Sequence, residues 1–119
     1  MRRKRGHYLG TEVDEVWYRR DRRRGYFARG NGEYWVSGGT LYFRRFLTRR
    51  PLTIPLRQVT EIKLGSWHAG RWALHPSVIK LLWEREGARL SSGFVLTRTA
   101  VEARLRAEAL MRLAAKART

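Results

Sequence analysis

Short runs of β-forming residues, separated by turn signals, fill the middle of this chain and constrain its fold more than any other feature. Residues 34–36 and 40–43 are rich in aromatic and aliphatic side chains and flank the pair Gly38-Gly39. Two such runs around a glycine pair predict a tight β-hairpin. Residues 52–54 form the next run, with a proline on each side. Because proline cannot donate to a strand ladder, this run predicts a short strand at a sheet edge.

The same pattern continues along the chain. Residues 59–64 alternate between apolar and polar side chains, which predicts a half-buried strand with Val59 and Ile62 on opposite faces. Residues 78–83 are almost wholly apolar, and a turn containing glycine separates them from the β-rich run 88–96. We therefore predict a mainly β protein of class α+β, with six or seven antiparallel strands in a small barrel or sandwich.

The last predicted element is a helix. Thr99 and Glu102 have the spacing of a capping box, and residues 100–117 contain neither glycine nor proline. A helix over about 99–118 has an apolar stripe with which it can close the open end of the barrel. The predicted stripe consists of Val101, Leu105, Ala109 and Leu113, flanked by Leu110 and Ala114.

The first 25 residues are harder to assign. Residues 1–10 are basic and bounded by glycine, which predicts a flexible tail ahead of a single domain over residues 11–119. Residues 11–25 begin with acidic side chains and end with arginines and a glycine. This order complements a helix dipole and favours a short N-terminal helix. An initial strand is the alternative, because Val16, Trp17 and Tyr18 are β-forming residues.

Charge is the strongest functional signal. The 119 residues include 26 Lys and Arg against 10 Asp and Glu, a net charge of +16. Such a chain attracts polyanions. The expected partner is an acidic surface, either an anionic membrane face or a protein, and nucleic acid is the alternative. There is no cysteine, which excludes disulfides and thiol chemistry and fits a cytoplasmic location, including the inner face of the membrane. No stretch is long and apolar enough to predict a transmembrane segment.

Two arginine clusters and one aromatic loop are the candidate binding residues. Arginine forks suit phosphates and carboxylates, and the second cluster surrounds the apolar pair Phe46-Leu47. The alternatives are that the arginines form an ordinary solvated surface and that the tryptophan rings cover the core. The candidates are Arg19, Arg20, Arg22, Arg23 and Arg24 in the first cluster, Arg44, Arg45, Arg49 and Arg50 in the second, and Trp67, Arg71 and Trp72 in the loop.

Enzyme chemistry has no recognisable residue set in this sequence. His68 and His75 lie in a loop without carboxylates, so the loop does not have the composition of a metal site. Ser91-Ser92 is expected to be part of a strand or turn rather than a nucleophile, and no phosphate-binding glycine loop is present. We therefore predict a protein that is not an enzyme, with no catalytic, metal-binding or cofactor-binding residues and no cofactor.

From about residue 25 to 117 the order of elements resembles the pleckstrin-homology-like superfold, most closely its small bacterial and GRAM-type members. The resemblance rests on the glycine-pair hairpin, the run Ile54-Pro55-Leu56 leading into residues 59–62, the strand ending at Trp83, and the capped final helix. It implies a non-enzymatic binding module for acidic lipids, peptides or proteins. Members that bind phosphoinositides typically carry basic residues across the first hairpin, whereas Gly38-Gly39 is tight and uncharged.

Overall fold

The computed structural model describes residues 3–14, 16–20, 30–48, 50–68, 71–72 and 77–119, and it gives backbone only for 16–20, 67–68 and 71–72. These residues form ten strands, a short 3-10 helix and one α-helix. The elements are β1 (Lys4–Val13), β2 (Val16–Arg20), β3 (Gly30–Ser37), β4 (Thr40–Arg45), β5 (Leu52–Pro55), the 3-10 helix (Leu56–Gln58), β6 (Val59–Gly65), β7 (Trp67–His68), β8 (Arg71–Trp72), β9 (Val78–Arg85), β10 (Ala88–Val95) and α1 (Ala100–Ala117).

Seven of the described strands form one antiparallel sheet in the order β5-β4-β3-β1-β10-β9-β6. The long β1 is central: its first half pairs with β3, and its second half pairs with β10. β2 pairs with the end of β1, whereas β7 and β8 form a separate hairpin. The outer strands β5 and β6 are joined through the 3-10 helix without pairing to each other. The predicted fold class is confirmed as mainly β with one C-terminal helix, and the sheet is not closed.

The core lies between the inner face of this sheet and α1. Tyr8, Phe43 and Phe94 come from three different strands and meet there, with ring centroids 5.1 to 5.7 Å apart. All three are almost completely buried. Tilted aromatic contacts of this kind add to the free energy of burying the rings. The aromatic cluster therefore holds the two halves of the sheet together around β1.

Helix α1 begins where the sequence predicts. The Thr99 hydroxyl accepts a hydrogen bond from the Glu102 amide at 3.1 Å and donates one to the Glu102 carboxylate at 3.1 Å. The predicted apolar stripe, however, is largely wrong, because Val101 and Leu105 are exposed. The buried row consists of Ala103, Ala107, Leu110 and Ala114, with Leu113 partly buried beside it. The small alanine side chains let the helix backbone lie close to the sheet. The larger side chains of Val101 and Leu105 in the sequence had indicated a different buried face.

The predicted tail and N-terminal helix are both wrong for the described part of these segments, residues 4–14 and 16–20. Residues from Lys4 onward form β1, in which Tyr8 and Leu9 are buried. The chain then turns at Asp14, which has a φ of 55° and donates its amide to the Arg89 carbonyl at 2.9 Å. Aspartate adopts this left-handed conformation more readily than most residues. The turn brings β2 back along β1, so the alternative of an initial strand describes residues 16–20.

The predictions for the central hairpins are confirmed, with one exception. Gly38 and Gly39 both have positive φ, as a tight two-residue hairpin turn requires, and β5 is a short outer strand. The exception is β6, where the pairing with β9 slips between Val59 and Glu61. This bulge leaves both Val59 and Ile62 packed against the core, although strict alternation placed them on opposite faces.

A chain of buried polar side chains crosses the middle of the sheet. The Tyr8 hydroxyl is hydrogen-bonded to the Thr11 hydroxyl, which lies 2.7 Å from the Ser92 hydroxyl. The Trp83 indole donates to the same Ser92 oxygen at 2.9 Å. Ser92 thus lies in strand β10, as expected, links β1 to β9, and supplies the acceptor for the buried Trp83 N–H.

We expect Ser92→Ala to lower the free energy of unfolding by about 2 kcal/mol, because it leaves the Trp83 N–H without its acceptor. Urea denaturation followed by tryptophan fluorescence measures the loss. Ser37→Ala is the matched control, since Ser37 is exposed at the end of β3. Equal unfolding free energies for the two variants would mean that the hydrogen-bonded chain contributes nothing to stability.

Candidate functional site

Four residues far apart in the sequence form a row across neighbouring strands at one end of the sheet. The Phe46 amide, just after β4, donates to the Asn31 carbonyl of β3 at 3.1 Å. Asn31 lies directly opposite His7 of β1, and His7 lies opposite Val95 of β10. The side chains of His7 and Asn31 are also joined, with 2.9 Å between Nδ1 and Oδ1. This row positions the loop after β4 beside the connection from β10 to α1.

A cleft of about 690 Å³ lies between this row and the first two turns of α1. That volume is within the range of small-ligand sites. Basic residues outnumber acidic ones in its described lining, in which the single carboxylate is that of Glu102. The basic lining residues are Lys4, Arg5, Arg98 and Arg106, together with His7. With four Lys and Arg residues against one carboxylate in the described lining, the cleft presents an excess of positive charge.

Two of the lining residues carry poorly paired buried polar atoms. The Tyr34 hydroxyl and the Arg106 Nε are both buried and, within the described residues, make no hydrogen bond of standard geometry. The Arg106 guanidinium carbon lies 6.0 Å from the centroid of the Tyr34 ring. Burial raises the pKa of the Tyr34 phenol above its ordinary value, and the charge of Arg106 and hydrogen bonding to its guanidinium offset part of that rise. At neutral pH the Tyr34 hydroxyl is therefore protonated and is able to donate.

An apolar loop adjoins the cleft. Phe46 lines the cleft and is partly exposed, while the next residue, Leu47, is completely exposed. The loop has a defined turn: Leu47 has a φ of 70°, and the Thr48 amide and hydroxyl both donate to the Arg45 carbonyl, at 3.1 and 2.6 Å. Because Leu47 is completely exposed, the full free energy of removing its side chain from water is available to a surface that covers it. We call Phe46 and Leu47 the apolar tip.

The second predicted arginine cluster lies beside the apolar tip. Arg44 and Arg45 are the last residues of β4, and Arg50 is exposed beyond the turn. Arg44 also lies 3.5 Å from the Glu33 carboxylate, in a half-exposed ion pair. Arg49 is outside the described residues. The described arginines of this cluster therefore flank the apolar tip along the chain, and their role in binding stays a prediction.

For the remaining candidate binding residues, in the aromatic loop and the first arginine cluster, the structure describes at most the backbone. Trp67 and Trp72 are direct partners in the β7–β8 hairpin, in which Arg71 pairs with His68. Their side chains are outside the description, as are those of the first arginine cluster. In that cluster, Arg19 and Arg20 belong to β2, and Arg22, Arg23 and Arg24 are outside the described residues.

Sequence reasoning missed the cleft, because its basic residues come from β1 and from both sides of the helix start. One local signal was available. Arg98, Glu102 and Arg106 are spaced by four residues, which places them along one side of the helix and its cap. Tyr34 gave no signal, since an alternating strand pattern does not reveal that a buried hydroxyl is poorly paired.

The outer face of the sheet carries a separate aromatic surface. The rings of Trp35 and Tyr42, direct partners in β3 and β4, are stacked with centroids 5.3 Å apart and an interplanar angle of 11°. The Arg3 guanidinium carbon lies 4.2 Å from the centroid of the Trp35 ring. A cation over an aromatic face is a favourable contact, and stacked aromatics with arginine also occur where proteins bind unpaired bases.

Within the described ranges, no three His, Asp or Glu side chains lie together in a way that could hold a metal ion. In that same part of the chain, no helix has the length and apolar character needed to cross a bilayer. No family model matches the sequence, and no curated protein resembles it significantly. Within the described residues, the cationic cleft and the apolar tip are the features that best indicate a function.

Proposed function

We propose that this protein is a non-enzymatic binding module that docks to an anionic membrane surface through the apolar tip and the basic residues around it. The observation that carries the proposal is the complete exposure of Leu47 beside Phe46, at the margin of a cleft lined by four Lys and Arg residues. Apolar side chains flanked by cations suit an acidic bilayer surface, because the apolar side chains can enter the acyl layer while the cations contact the negatively charged headgroups.

The energetics favour a reversible association. Moving one leucine side chain from water into the acyl layer contributes roughly 2 kcal/mol, and the partly exposed Phe46 adds a smaller amount. Each cation close to an acidic leaflet adds about 1 kcal/mol. Arg45 and Arg50 lie next to the tip, and Lys4 and Arg5 lie across the cleft. Part of the binding should therefore be lost at high salt, and part should remain.

The pleckstrin-homology-like resemblance supports this proposal at the level of architecture. An antiparallel sheet that shares its long first strand between two halves, covered by a terminal helix, is compatible with such a module. Fold by itself does not define a ligand. A protein partner is the other acidic surface to consider, but a leucine surrounded by solvent with arginines beside it fits a bilayer more directly.

We expect the double variant Phe46→Ser, Leu47→Asn to bind phosphatidylglycerol vesicles at least roughly tenfold more weakly than the unaltered protein, because it removes the apolar contribution. Asparagine tolerates the positive φ of residue 47, so the turn should persist. Vesicle co-sedimentation at two salt concentrations measures the change.

Leu64→Ser is the matched control for that experiment. Leu64 has an exposed fraction of 41 %, close to the 43 % of Phe46, and lies on β6 at the other side of the sheet. It should bind vesicles as the unaltered protein does. If the double variant retains full binding, or if the unaltered protein ignores acidic vesicles at low salt, membrane docking through the apolar tip is wrong.

Nucleic-acid binding is the second candidate, and the Trp35–Tyr42 stack with Arg3 is the observation that favours it. Single-stranded oligonucleotides in the same salt series distinguish the two functions. Binding that falls steeply with salt and does not depend on the apolar tip would support the nucleic-acid candidate over the membrane.

A further inference from the structure

The aromatic surface lies on the face of the sheet opposite the core. Its two rings, Trp35 and Tyr42, alternate along β3 and β4 with core residues such as Tyr34 and Phe43. Helix α1 packs on that inner side, because its buried residues belong to the same core cluster. Trp35 and Tyr42 themselves are partly exposed. The aromatic surface is therefore separate from both the core and the cleft.

The geometry of the two rings suits a flat ligand. Their planes differ by only 11°, and the flat guanidinium of Arg3 already lies over Trp35, 4.2 Å from the ring centroid. A nucleobase is also flat, and its π-face stacks on aromatic side chains. Arg3 is exposed and precedes β1, so its side chain can leave the ring while β1 stays paired. A base can thus take the place that Arg3 occupies.

Cations flank the rings on the same face of the sheet. Arg5, Glu33 and Arg44 are cross-strand neighbours in β1, β3 and β4, and Glu33 is two residues from Trp35 on the outer face. The Glu33 carboxylate is paired with Arg44 at 3.5 Å. With Arg3, the surface carries three arginines against one glutamate, an excess of positive charge that attracts a sugar-phosphate backbone.

We propose that the aromatic surface binds unpaired bases of single-stranded DNA or RNA, with Trp35 and Tyr42 as the stacking rings and Arg3 and Arg5 as phosphate contacts. A bound base displaces Arg3 from the Trp35 ring, and the released guanidinium contacts the neighbouring phosphate. Single strands bind more tightly than duplexes, since the bases of a duplex are already stacked on each other. This site goes beyond the proposed function, because it uses no residue of the apolar tip.

The first test measures, by calorimetry of the full chain, binding to a single-stranded oligonucleotide, its duplex and inorganic polyphosphate. Trp35→Ile removes the ring and keeps a β-forming side chain. It should bind the single strand roughly tenfold more weakly, the usual loss for one stacking ring. Its affinity for polyphosphate, which has no bases, should stay the same. Equal losses for the two ligands, or duplex binding as tight as that of the single strand, would overturn the proposal.

A pair of substitutions at Tyr42 distinguishes stacking from the phenol group. Tyr42→Phe keeps the ring and should retain the affinity for the single strand, whereas Tyr42→Ile should lower it about threefold to tenfold. Thermal unfolding of both variants checks that the fold is intact. Equal affinities for the two folded variants would exclude Tyr42 from the site.

Arg3→Gln tests the proposed phosphate contact. It should reduce the slope of log affinity against log salt concentration by about one. Arg104→Gln is the matched control, since it makes the same charge change at an exposed position of α1, on the other side of the sheet, and should leave the slope unchanged. Equal slopes for the two variants would overturn the assignment of Arg3.

The aromatic surface and the apolar tip can be tested independently. Trp35→Ile should bind phosphatidylglycerol vesicles normally, and the double variant Phe46→Ser, Leu47→Asn should bind the single strand normally. Oligonucleotide binding through Trp35 by a protein that ignores vesicles would uphold this site and overturn membrane docking. Vesicle binding through the apolar tip, with oligonucleotide binding that does not depend on Trp35, would do the reverse.

Discussion

Leu110→Ala is expected to lower the free energy of unfolding by about 3 kcal/mol, within the range measured when a buried leucine is truncated. Leu110 is completely buried and belongs to the same core cluster as Phe43 and Phe94. The sheet below it is held by strand pairing and cannot collapse into the space that the alanine leaves. Urea denaturation, monitored by circular dichroism, measures the difference between the variant and the unaltered protein.

Leu105→Ala is the control, and comparing its unfolding free energy with that of Leu110→Ala shows which face of α1 packs on the sheet. Leu105 has an exposed fraction of 59 %, and alanine is an excellent helix former, so its unfolding free energy should change by less than about 0.5 kcal/mol. The side-chain pattern of the sequence placed Leu105 inside the stripe and Leu110 beside it, and so predicted that both would be buried. A larger loss for Leu105→Ala than for Leu110→Ala would therefore restore the pattern and contradict the packing described above.

The parts of the fold that could be predicted are those governed by local chemistry. The turn at Gly38 and Gly39 needs two positive φ values, and glycine reaches them without strain. The start of α1 depends on a side chain three residues from its partner, and Thr99 and Glu102 carry that information in the sequence. The prolines around β5 exclude a central strand because each lacks a donor. In each case the deciding interaction spans only a few residues.

The parts that were missed depend on partners distant in the sequence. Tyr8 in β1 is buried because Phe43 and Phe94 meet it, and nothing within residues 1–10 indicates those contacts. The bulge in β6 follows from its pairing with β9, so alternation alone misplaced Ile62. The cationic cleft is likewise assembled from both ends of the described chain. Composition therefore predicted an affinity for anions, whereas the position of the cleft required the topology.

We expect Gly32→Ala to lower the free energy of unfolding by about 3 kcal/mol, the upper part of the usual range for overpacking. Gly32 lies in β3 between Gly6 of β1 and Arg45 of β4. An added Cβ would lie 2.2 Å from the Arg44 carbonyl oxygen and 2.7 Å from the Arg45 Cα. Both atoms belong to the backbone, so no side-chain rotation relieves the contact, and β3 and β4 would have to separate.

Gly65→Ala tests whether this cost comes from the close approach or from losing a glycine in a strand. Gly65 lies in β6, and among the described side chains an added Cβ there would meet only that of the flexible Lys80, at 3.5 Å from its Cε. Since alanine restricts the unfolded chain, this variant should gain about 0.5 kcal/mol. The two substitutions are chemically identical and should change stability in opposite directions. If Gly32→Ala were as stable as Gly65→Ala, the backbones of β3 and β4 could not lie as close together as the 2.2 Å distance to the Arg44 carbonyl oxygen implies.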